Sequence, residues 1–136
     1  MITVKPLILI ATLLISACAT TDTEGTAFKN IDVVTTQSTL NNEKVVLLDV
    51  RTPEEYAQGH IPGSQLMDFH GEHFTEDLKK LDPNATYVVY CASGNRSEKA
   101  SRMMQAQDFK QVSNVLGGFQ AWQSQQLPVE TLKAVN

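Results

Sequence analysis

The sequence predicts an α/β fold in which a central parallel β-sheet carries helices on both faces. Short apolar runs alternate with amphipathic stretches from Ile31 to Leu132, and strands that alternate with helices along a chain form parallel sheets. The run 45–50 is rich in branched side chains, as in a strand buried on both faces. The chain of 136 residues is long enough for one domain and not for two.

The elements follow one another in a regular order. Region 31–42 is expected to hold a small strand and a helix, and 45–50 is the first buried strand. Pro53 in a first helical turn, then Glu54 and Glu55, then Gly59 as a stop, predict a short helix. The later elements are a strand over 64–69, a helix over 74–81, a strand over 86–90, a helix over 97–109, a strand over 112–116 and a helix over 118–125.

Residues 1–17 are predicted to be an export signal outside the fold. Lys5 supplies a positive charge, and the apolar run 7–15 is too short for a bilayer-spanning helix, which needs roughly 20 residues. It has the length of the central region of a signal peptide. Ile15-Ser16-Ala17-Cys18 resembles a bacterial lipobox, which implies cleavage after Ala17 and attachment of a lipid to Cys18.

The lipobox sets the expected domain organisation and location. Residues 1–17 would be a lipoprotein signal peptide, 18–28 a polar tether and 29–136 the folded domain. The protein is then exported and held at a membrane through its lipid, facing the periplasm. In some Gram-negative bacteria, an Asp directly after the lipidated cysteine resembles a signal for retention in the inner membrane. Ala19 occupies that position in this sequence, which favours the outer membrane. A soluble secreted form, cut after Ala17 or Ala19, stays open as an alternative.

Composition and cysteine content narrow the classes of function. A net charge of −4 argues against a nucleic-acid partner, because phosphate contacts need a surplus of Lys and Arg. No heptad or unpaired apolar stripe indicates an interface, so a monomer is expected. With Cys18 lipidated, Cys91 has no partner in its chain. A lone thiol in an oxidising compartment suggests reactivity, although a small buried hydrophobe is the alternative.

The segment 91–97 has the properties of a thiolate site. Cys91 follows the strand 86–90 and precedes a helix, and ligand sites of parallel sheets lie at the carboxyl ends of the strands. A tight loop there directs backbone N–H groups inward and favours a thiolate. Gly94 allows the turn, Arg96 adds a positive charge, and Ser97 is expected to cap the helix.

Four motifs in order identify the sequence as similar to the rhodanese family. They cover roughly residues 28–128, and Ser64 replaces the more usual Ala. The motifs are Cys91-x-x-Gly94-x-Arg96-Ser97, the segment 48–56 (LDVRTPEEY), the segment 59–64 (GHIPGS) and Gly117-Gly118-Phe119-x-Ala121-Trp122.

The resemblance implies a sulfurtransferase. Cys91 would accept a sulfane sulfur from a donor such as thiosulfate, become a persulfide, and pass the sulfur to cyanide or a thiol. No cofactor is expected. No metal is expected either, because Cys91 has no ligand partner and no tight cluster of His, Asp and Glu is present. The backbone donors that would bind the persulfide and the donor anion are those of Ala92, Ser93, Gly94, Asn95, Arg96 and Ser97.

Framework roles are expected for most other conspicuous polar residues. Arg96 would fix the loop through a carboxylate, and Asp49 and Arg51 would form an ion pair. Glu55 is expected to belong to the framework, as is His60, which would hydrogen-bond a carbonyl group.

Trp122, Met103 and Met104 are expected in the core. His70 and His73 could line a pocket entrance. Phe69 or Phe119 could form part of an apolar rim around the sulfur.

Two other functions compete with sulfur transfer. Phosphatases of related folds use a loop resembling Cys-x5-Arg, one residue longer than the stretch from Cys91 to Arg96. The shorter ring suits a sulfur atom better than a phosphoryl group. A thiol redox sensor or a non-catalytic binding module is the second alternative. The sensor lacks a resolving cysteine once Cys18 is lipidated, and the presence of Cys91 argues against an inactive module.

Overall fold

A computed structural model describes residues 28–133. The predicted signal peptide, Cys18 and the tether up to residue 27 lie outside the described residues. The elements alternate along the chain as predicted. They are β1 (Lys29–Ile31), α1 (Val33–Asn42), β2 (Val46–Asp49), α2 (Pro53–Gln58), β3 (Gln65–Leu66), α3 (Phe74–Lys79), β4 (Thr86–Tyr90), α4 (Asn95–Ala106), β5 (Gln111–Val115) and α5 (Gly118–Ser124).

The five strands form one parallel sheet in the order β1-β5-β4-β2-β3. β4 is the central strand, and its side chains from Tyr87 to Tyr90 are buried. β4 pairs with β2 in a register that sets Asp49 opposite Tyr90, and with β5 in a register that sets Asn114 opposite Val89. The carboxyl ends of the three inner strands therefore meet around the residue that follows Tyr90.

Apolar side chains cover both faces of the sheet, which confirms the predicted fold class. On one face, α3 and α4 contribute Phe74, Leu78, Ala100 and Met104 to a core that includes Cys91. On the other face, α1 and α5 contribute Val33, Phe119 and Trp122. Met104 is fully buried and Met103 packs against the first core. The predicted core roles of Trp122 and both methionines are confirmed.

Most boundaries differ from the sequence prediction by one or two residues, and three differences matter for the site or the domain. The helix predicted over 97–109 spans Asn95–Ala106, because Gly94 at φ 101° makes the turn that starts it. The strand predicted over 64–69 contains only Gln65–Leu66. Phe28, placed in the tether by the prediction, is half-buried against the core beneath Arg102, so the packed domain starts at least one residue earlier.

Among residues 28–133, no helix combines the length and the apolar character needed to cross a membrane.

Candidate active site

Cys91 lies at the carboxyl end of the central strand, and its side chain is 1% exposed. The chain turns directly after it, and α4 starts four residues later. Gly94 adopts φ 101°, a conformation that residues with a Cβ rarely adopt. A Cβ there would lie 3.4 Å from both the Val115 carbonyl oxygen and the Gly117 nitrogen. The loop therefore packs closely against the segment that follows β5.

Two hydrogen-bond donors point at the Cys91 sulfur. The Gly94 N–H donates to Sγ over 3.1 Å, and the Ser97 hydroxyl donates over 3.4 Å. Burial raises the pKa of the Cys91 thiol. Hydrogen bonds from the Ser97 hydroxyl and from the N–H groups of Ser97, Ser93 and Gly94 outweigh that effect, so the pKa lies below its ordinary value. The loop thus stabilises the thiolate, the nucleophilic form.

Ser97 has a different role from the predicted one. It is not the helix cap, because Gly94 occupies the N-cap position and makes no side-chain hydrogen bond. Ser97 is the third residue of α4 and fully buried, so its hydroxyl faces inward and reaches Sγ. Ser101, one turn later, is also fully buried, but its hydroxyl donates to the Ser97 carbonyl over 2.8 Å. Of the two buried serines, only Ser97 contacts the sulfur.

The amino end of α5 is hydrogen-bonded to the backbone of the Cys91 loop. The Phe119 N–H donates to the Cys91 carbonyl over 2.7 Å, and the Gln120 N–H donates to the Ala92 carbonyl over 3.0 Å. These are donors of a first helical turn, which have no partner within their own helix. In trans peptide groups the N–H points opposite to the C=O. With both carbonyls turned toward α5, the N–H groups of Ala92 and Ser93 are directed away from it.

Close contact between α5 and the loop requires a glycine at position 118. Gly118 adopts φ 55°, and a Cβ there would lie 2.3 Å from the Cys91 carbonyl oxygen and 2.8 Å from the Ala92 carbonyl carbon. Both atoms belong to the backbone and cannot rotate away. The pair Gly117-Gly118, one of the four motifs, is therefore explained by the approach of α5 to the Cys91 loop.

Arg96 was predicted to bind a carboxylate, and the structure identifies that carboxylate as Glu55 of α2. Its Nη1 and Nη2 donate to the two carboxylate oxygens over 2.8 Å each, a bidentate geometry. The pairing lowers the pKa of Glu55 and raises the pKa of Arg96. Negative charge on Cys91 also raises the pKa of Arg96, but by less than Glu55 does. Glu55 also completes the capping box of α2 with Thr52. One carboxylate thus fixes both the loop and a helix end.

The predicted ion pair of Asp49 and Arg51 is present and buried. Arg51 Nη2 lies 2.7 Å from Asp49 Oδ2 and also donates to the Gly59 carbonyl over 2.7 Å. The guanidinium carbon lies 4.2 Å from the Phe119 ring centroid, a cation–π distance. The pair therefore ties the end of β2 to α5. Phe119 packs on this arginine, so its ring is part of the framework.

A second polar network lies beneath β4. The Tyr90 hydroxyl donates to Ser64 Oγ over 3.0 Å and accepts the Ile61 N–H over 3.0 Å. Burial raises the pKa of Tyr90, so this hydroxyl stays protonated. Ser64, the departure from the usual family residue, thus provides an acceptor for a buried hydroxyl. His60 contacts the Tyr56 carbonyl through Nδ1 over 2.9 Å, as its framework role requires.

The remaining predicted residues lie at the surface, two of them in the Cys91 loop. Ser93 and Asn95 are exposed. His70 and His73 are also exposed, and His73 lines a cavity of about 520 Å³ between β3 and α3 to which the Cys91 loop contributes no residue. Within residues 28–133, no cluster of three His, Cys, Asp or Glu side chains could hold a metal ion.

Comparisons with known proteins point to one family for the chain. The family model described as the rhodanese-like domain matches residues 33–125. A thiosulfate sulfurtransferase GlpE from Pseudomonas fluorescens is 36% identical over 104 residues, covering 76% of this chain and 92% of the relative. The protein of that name from Pseudoalteromonas translucida is 35% identical over 99 residues, covering 72% and 91%. The rhodanese-like domain protein from Staphylococcus aureus has a solved structure that is 31% identical, covers 77% of this chain and 99% of its own, and superposes with a TM-score of 0.67.

Proposed function

The chain belongs to the rhodanese family, and we propose that it moves a sulfane sulfur from a small donor to a thiophilic acceptor through a persulfide on Cys91. The two curated relatives are sulfurtransferases by name, which supports sulfur transfer at the level of the family. Thiosulfate is the proposed laboratory donor, and cyanide or a thiol is the proposed acceptor.

The pair of hydrogen bonds on the Cys91 sulfur is the observation that carries the proposal. A buried thiol would ordinarily stay protonated and unreactive. Here the Gly94 N–H and the Ser97 hydroxyl both donate to Sγ, and the pKa is lowered in spite of burial. The site therefore holds a nucleophilic sulfur without a neighbouring base.

The first half-reaction needs no proton. The Cys91 thiolate attacks the outer sulfur of thiosulfate, a new S–S bond forms, and the donor S–S bond breaks. Sulfite leaves with the electron pair of that bond. The negative charge then sits on a sulfur about 2 Å beyond Sγ, and the loop N–H groups from 92 to 97 are the donors proposed to stabilise it.

The second half-reaction returns the enzyme to its starting state. Cyanide attacks the outer sulfur of the persulfide, a C–S bond forms, and the S–S bond breaks. Thiocyanate leaves, and the electron pair of the broken bond restores the Cys91 thiolate. In each step the small anion that leaves carries the same charge as the one that entered, sulfite for thiosulfate and thiocyanate for cyanide, so neither step requires an acid, a base or a cofactor.

Phosphoryl transfer has less support from the same loop. Four residues separate Cys91 from Arg96, and both terminal nitrogens of Arg96 are bound to Glu55. An arginine held in this way has lost the fork of donors with which it would clamp a phosphoryl group.

Steady-state kinetics test the proposed cycle. A persulfide intermediate predicts ping-pong behaviour, with parallel double-reciprocal lines when thiosulfate is varied at several cyanide concentrations. Cys91→Ser should lose thiocyanate formation while keeping the urea midpoint of the wild type within experimental spread. Intersecting lines, or activity retained in Cys91→Ser, would refute the covalent mechanism.

We also propose that the domain works outside the cytoplasm, attached to a membrane by a lipid on Cys18. The support is the apolar run 7–15 followed by Ile15-Ser16-Ala17-Cys18. In this arrangement Cys91 is the single thiol of the mature chain, and the domain acts as a monomer at the membrane surface, in the periplasm.

A further inference from the structure

The chain enters β1 from the edge of the sheet opposite to Cys91. All five strands are parallel, so every strand begins at one edge, here called the amino edge, and ends at the other. Lys29 of β1 pairs with Ser113 of β5, which pairs with Val88 of β4. At about 3.3 Å per residue, the start of β1 therefore lies roughly 10 Å from the level of Cys91, toward the amino edge.

Phe28 fixes the place where the chain joins the domain. Its ring packs against the core and lies 5.3 Å from the guanidinium carbon of Arg102, a cation–π distance. Residues 19–27 separate it from Cys18. Because an extended chain spans at most about 3.6 Å per residue, a lipid on Cys18 would keep Phe28 within about 36 Å of the membrane surface. The same limit applies to the neighbouring amino edge, give or take its own width.

Most lysines without an ion-pair partner lie at the amino edge. Among the described residues, six lysines have no carboxylate oxygen within 4 Å of the ammonium nitrogen: Lys29, Lys44, Lys79, Lys99, Lys110 and Lys133. All but Lys99 and Lys133 begin a strand or lie between the end of a helix and the next strand.

The two edges of the sheet differ in their charge balance. The same connections into the strands also hold Lys80, which is paired with Asp77, and three carboxylates, those of Glu43, Asp82 and Asp108. Lysines therefore outnumber carboxylates at the amino edge. The connections that leave the strands hold Asp32, Asp68 and Glu72 against one cation, Arg51, which is itself paired with Asp49.

Three of the unpaired lysines surround the start of the central strand and are called the lysine patch. Lys29 and Lys110 line one groove of about 390 Å³, and Lys44 lines a second groove of about 360 Å³. Thr86, the first residue of β4, lines both grooves. Glu43 lines the first groove too, but its carboxylate lies more than 4 Å from the lysine nitrogens. The patch therefore carries a surplus of exposed positive charge.

We propose that the lysine patch binds the anionic phospholipid surface of the membrane that holds the anchor, so that the domain stands on its amino edge and Cys91 faces the aqueous side. The proposal rests on the proposed lipid on Cys18 and not on sulfur transfer. An anionic surface attracts lysines that lie near it, and an acyl chain combined with basic residues holds a protein more firmly than the chain alone. The tether supplies a high local concentration of the patch at that surface.

This orientation restricts the class of sulfur donor and acceptor. The Cys91 loop occupies the edge of the sheet that points away from the membrane, so both substrates must reach it from water. We therefore expect soluble donors and acceptors, because a thiol embedded in the bilayer would have to rise past the depth of the domain to reach the sulfur.

Energy transfer from two labelled positions to the membrane tests the orientation. The mature lipoprotein in a Cys91→Ser background carries either Asn84→Cys at the amino edge or Leu116→Cys after β5, both exposed positions, labelled with a donor dye. It is reconstituted into phosphatidylcholine vesicles that contain an acceptor-labelled lipid. With about 30% phosphatidylglycerol, transfer from position 84 should exceed transfer from position 116 at least twofold. In phosphatidylcholine alone, this difference should shrink by at least half.

Charge reversal at two lysines shows whether the patch causes the difference. Lys110→Glu places a negative charge in the patch and should abolish the difference in phosphatidylglycerol vesicles. Lys99→Glu is the matched control, because Lys99 is equally exposed and unpaired but lies in the first half of α4, and it should keep the difference. Equal transfer from both positions, or a difference that survives Lys110→Glu, would overturn the docking.

Flotation separates this failure from failure of the anchor or of sulfur transfer. Protein that does not float with vesicles of phosphatidylcholine alone would show that the lipid is absent, and the docking would fail with it. Protein that floats but shows no difference between the two positions would refute the docking only. Sulfur transfer is measured separately on the wild type, because the Cys91→Ser background does not report on it.

Discussion

At the scale of single residues, the decisive feature is the environment of the Cys91 sulfur. The thiol is 1% exposed, and burial alone would favour the protonated form. Ser97 and Gly94 reverse that preference through hydrogen bonds to Sγ. A sulfur that is enclosed, and whose hydrogen-bond donors favour the thiolate, can be shielded from bulk oxidants and still react with a small donor.

The Ser97 hydroxyl should set a measurable part of the thiol pKa. Ser97→Ala removes one donor to the thiolate, so the pH midpoint of Cys91 alkylation by iodoacetamide should move upward. Ser101→Ala is the matched control, because that serine is equally buried but donates to a carbonyl. Its midpoint should stay at the wild-type value, below that of an ordinary cysteine. Equal midpoints in the wild type and both variants would show that the Ser97 hydroxyl does not lower the pKa of Cys91.

Some of these residue roles could be predicted from the sequence, and others could not. Cys91, its loop and the Asp49–Arg51 pair follow from local motifs. The partner of Arg96 is 41 positions away, and no local pattern identifies Glu55 among 15 acidic residues. Ser97 was assigned to the helix cap because Ser is common there. The conformation of Gly94, visible only in three dimensions, moves the cap three residues earlier.

At the scale of elements, α5 is as important to the site as α4. Its first N–H groups bind the carbonyls of Cys91 and Ala92. These hydrogen bonds fix the peptide planes of the loop and thereby the direction of the opposite N–H groups. A helix of seven residues thus orients a loop to which it contributes no side chain.

Gly118→Ala should test this contact between α5 and the loop. The new Cβ would collide with the backbone of Cys91 and Ala92, so the variant should lose sulfur transfer and unfold at a clearly lower urea concentration. Gly63→Ala is the control, because Gly63 has φ 79° but no atom within 4 Å of an added Cβ. It should lose only about 1–2 kcal/mol of unfolding free energy, the cost of the backbone conformation, and keep its activity. Equal losses in both variants would contradict the role assigned to the contact.

Elements with strong local signals were predicted well. The strand 86–90 has the predicted bounds, because five consecutive β-branched or aromatic residues favour a strand. The helix predicted over 97–109 ends at Ala106. Its predicted end included Asp108, which adopts φ 63°, a conformation incompatible with continuing the helix. β3 is shorter than expected, with strand pairing only over Gln65–Leu66, although the N–H groups of Met67 and Phe69 still donate to the carbonyls of Asp49 and Val50.

At the scale of the whole molecule, the fold presents one reactive edge. The carboxyl ends of all five parallel strands lie together, and the Cys91 loop occupies the centre, between β2 and β5. The alternation of strands and helices was enough to predict this edge. The ion pair of Arg96 with Glu55 at this edge joins residues distant in the chain, so no local sequence pattern identified Glu55 as the partner.

The proposed lipid anchor belongs to this scale. Cells that express the full chain and are supplied with labelled palmitate should show label on the wild-type protein. Cys18→Ser should remove the label, because it removes the acylated thiol, and Cys91→Ser should retain it. Label that persists in Cys18→Ser would exclude the lipobox interpretation.

The central claim is that Cys91 carries the transferred sulfur, and intact-mass spectrometry after a single loading tests it most directly. Protein freed of bound sulfur with cyanide and then mixed with excess thiosulfate should gain the mass of one sulfur atom. Peptide analysis should place that atom on Cys91. Added cyanide should remove the extra mass and release one equivalent of thiocyanate, and Cys91→Ser should gain nothing. A wild-type mass that stays unchanged with thiosulfate would contradict the account.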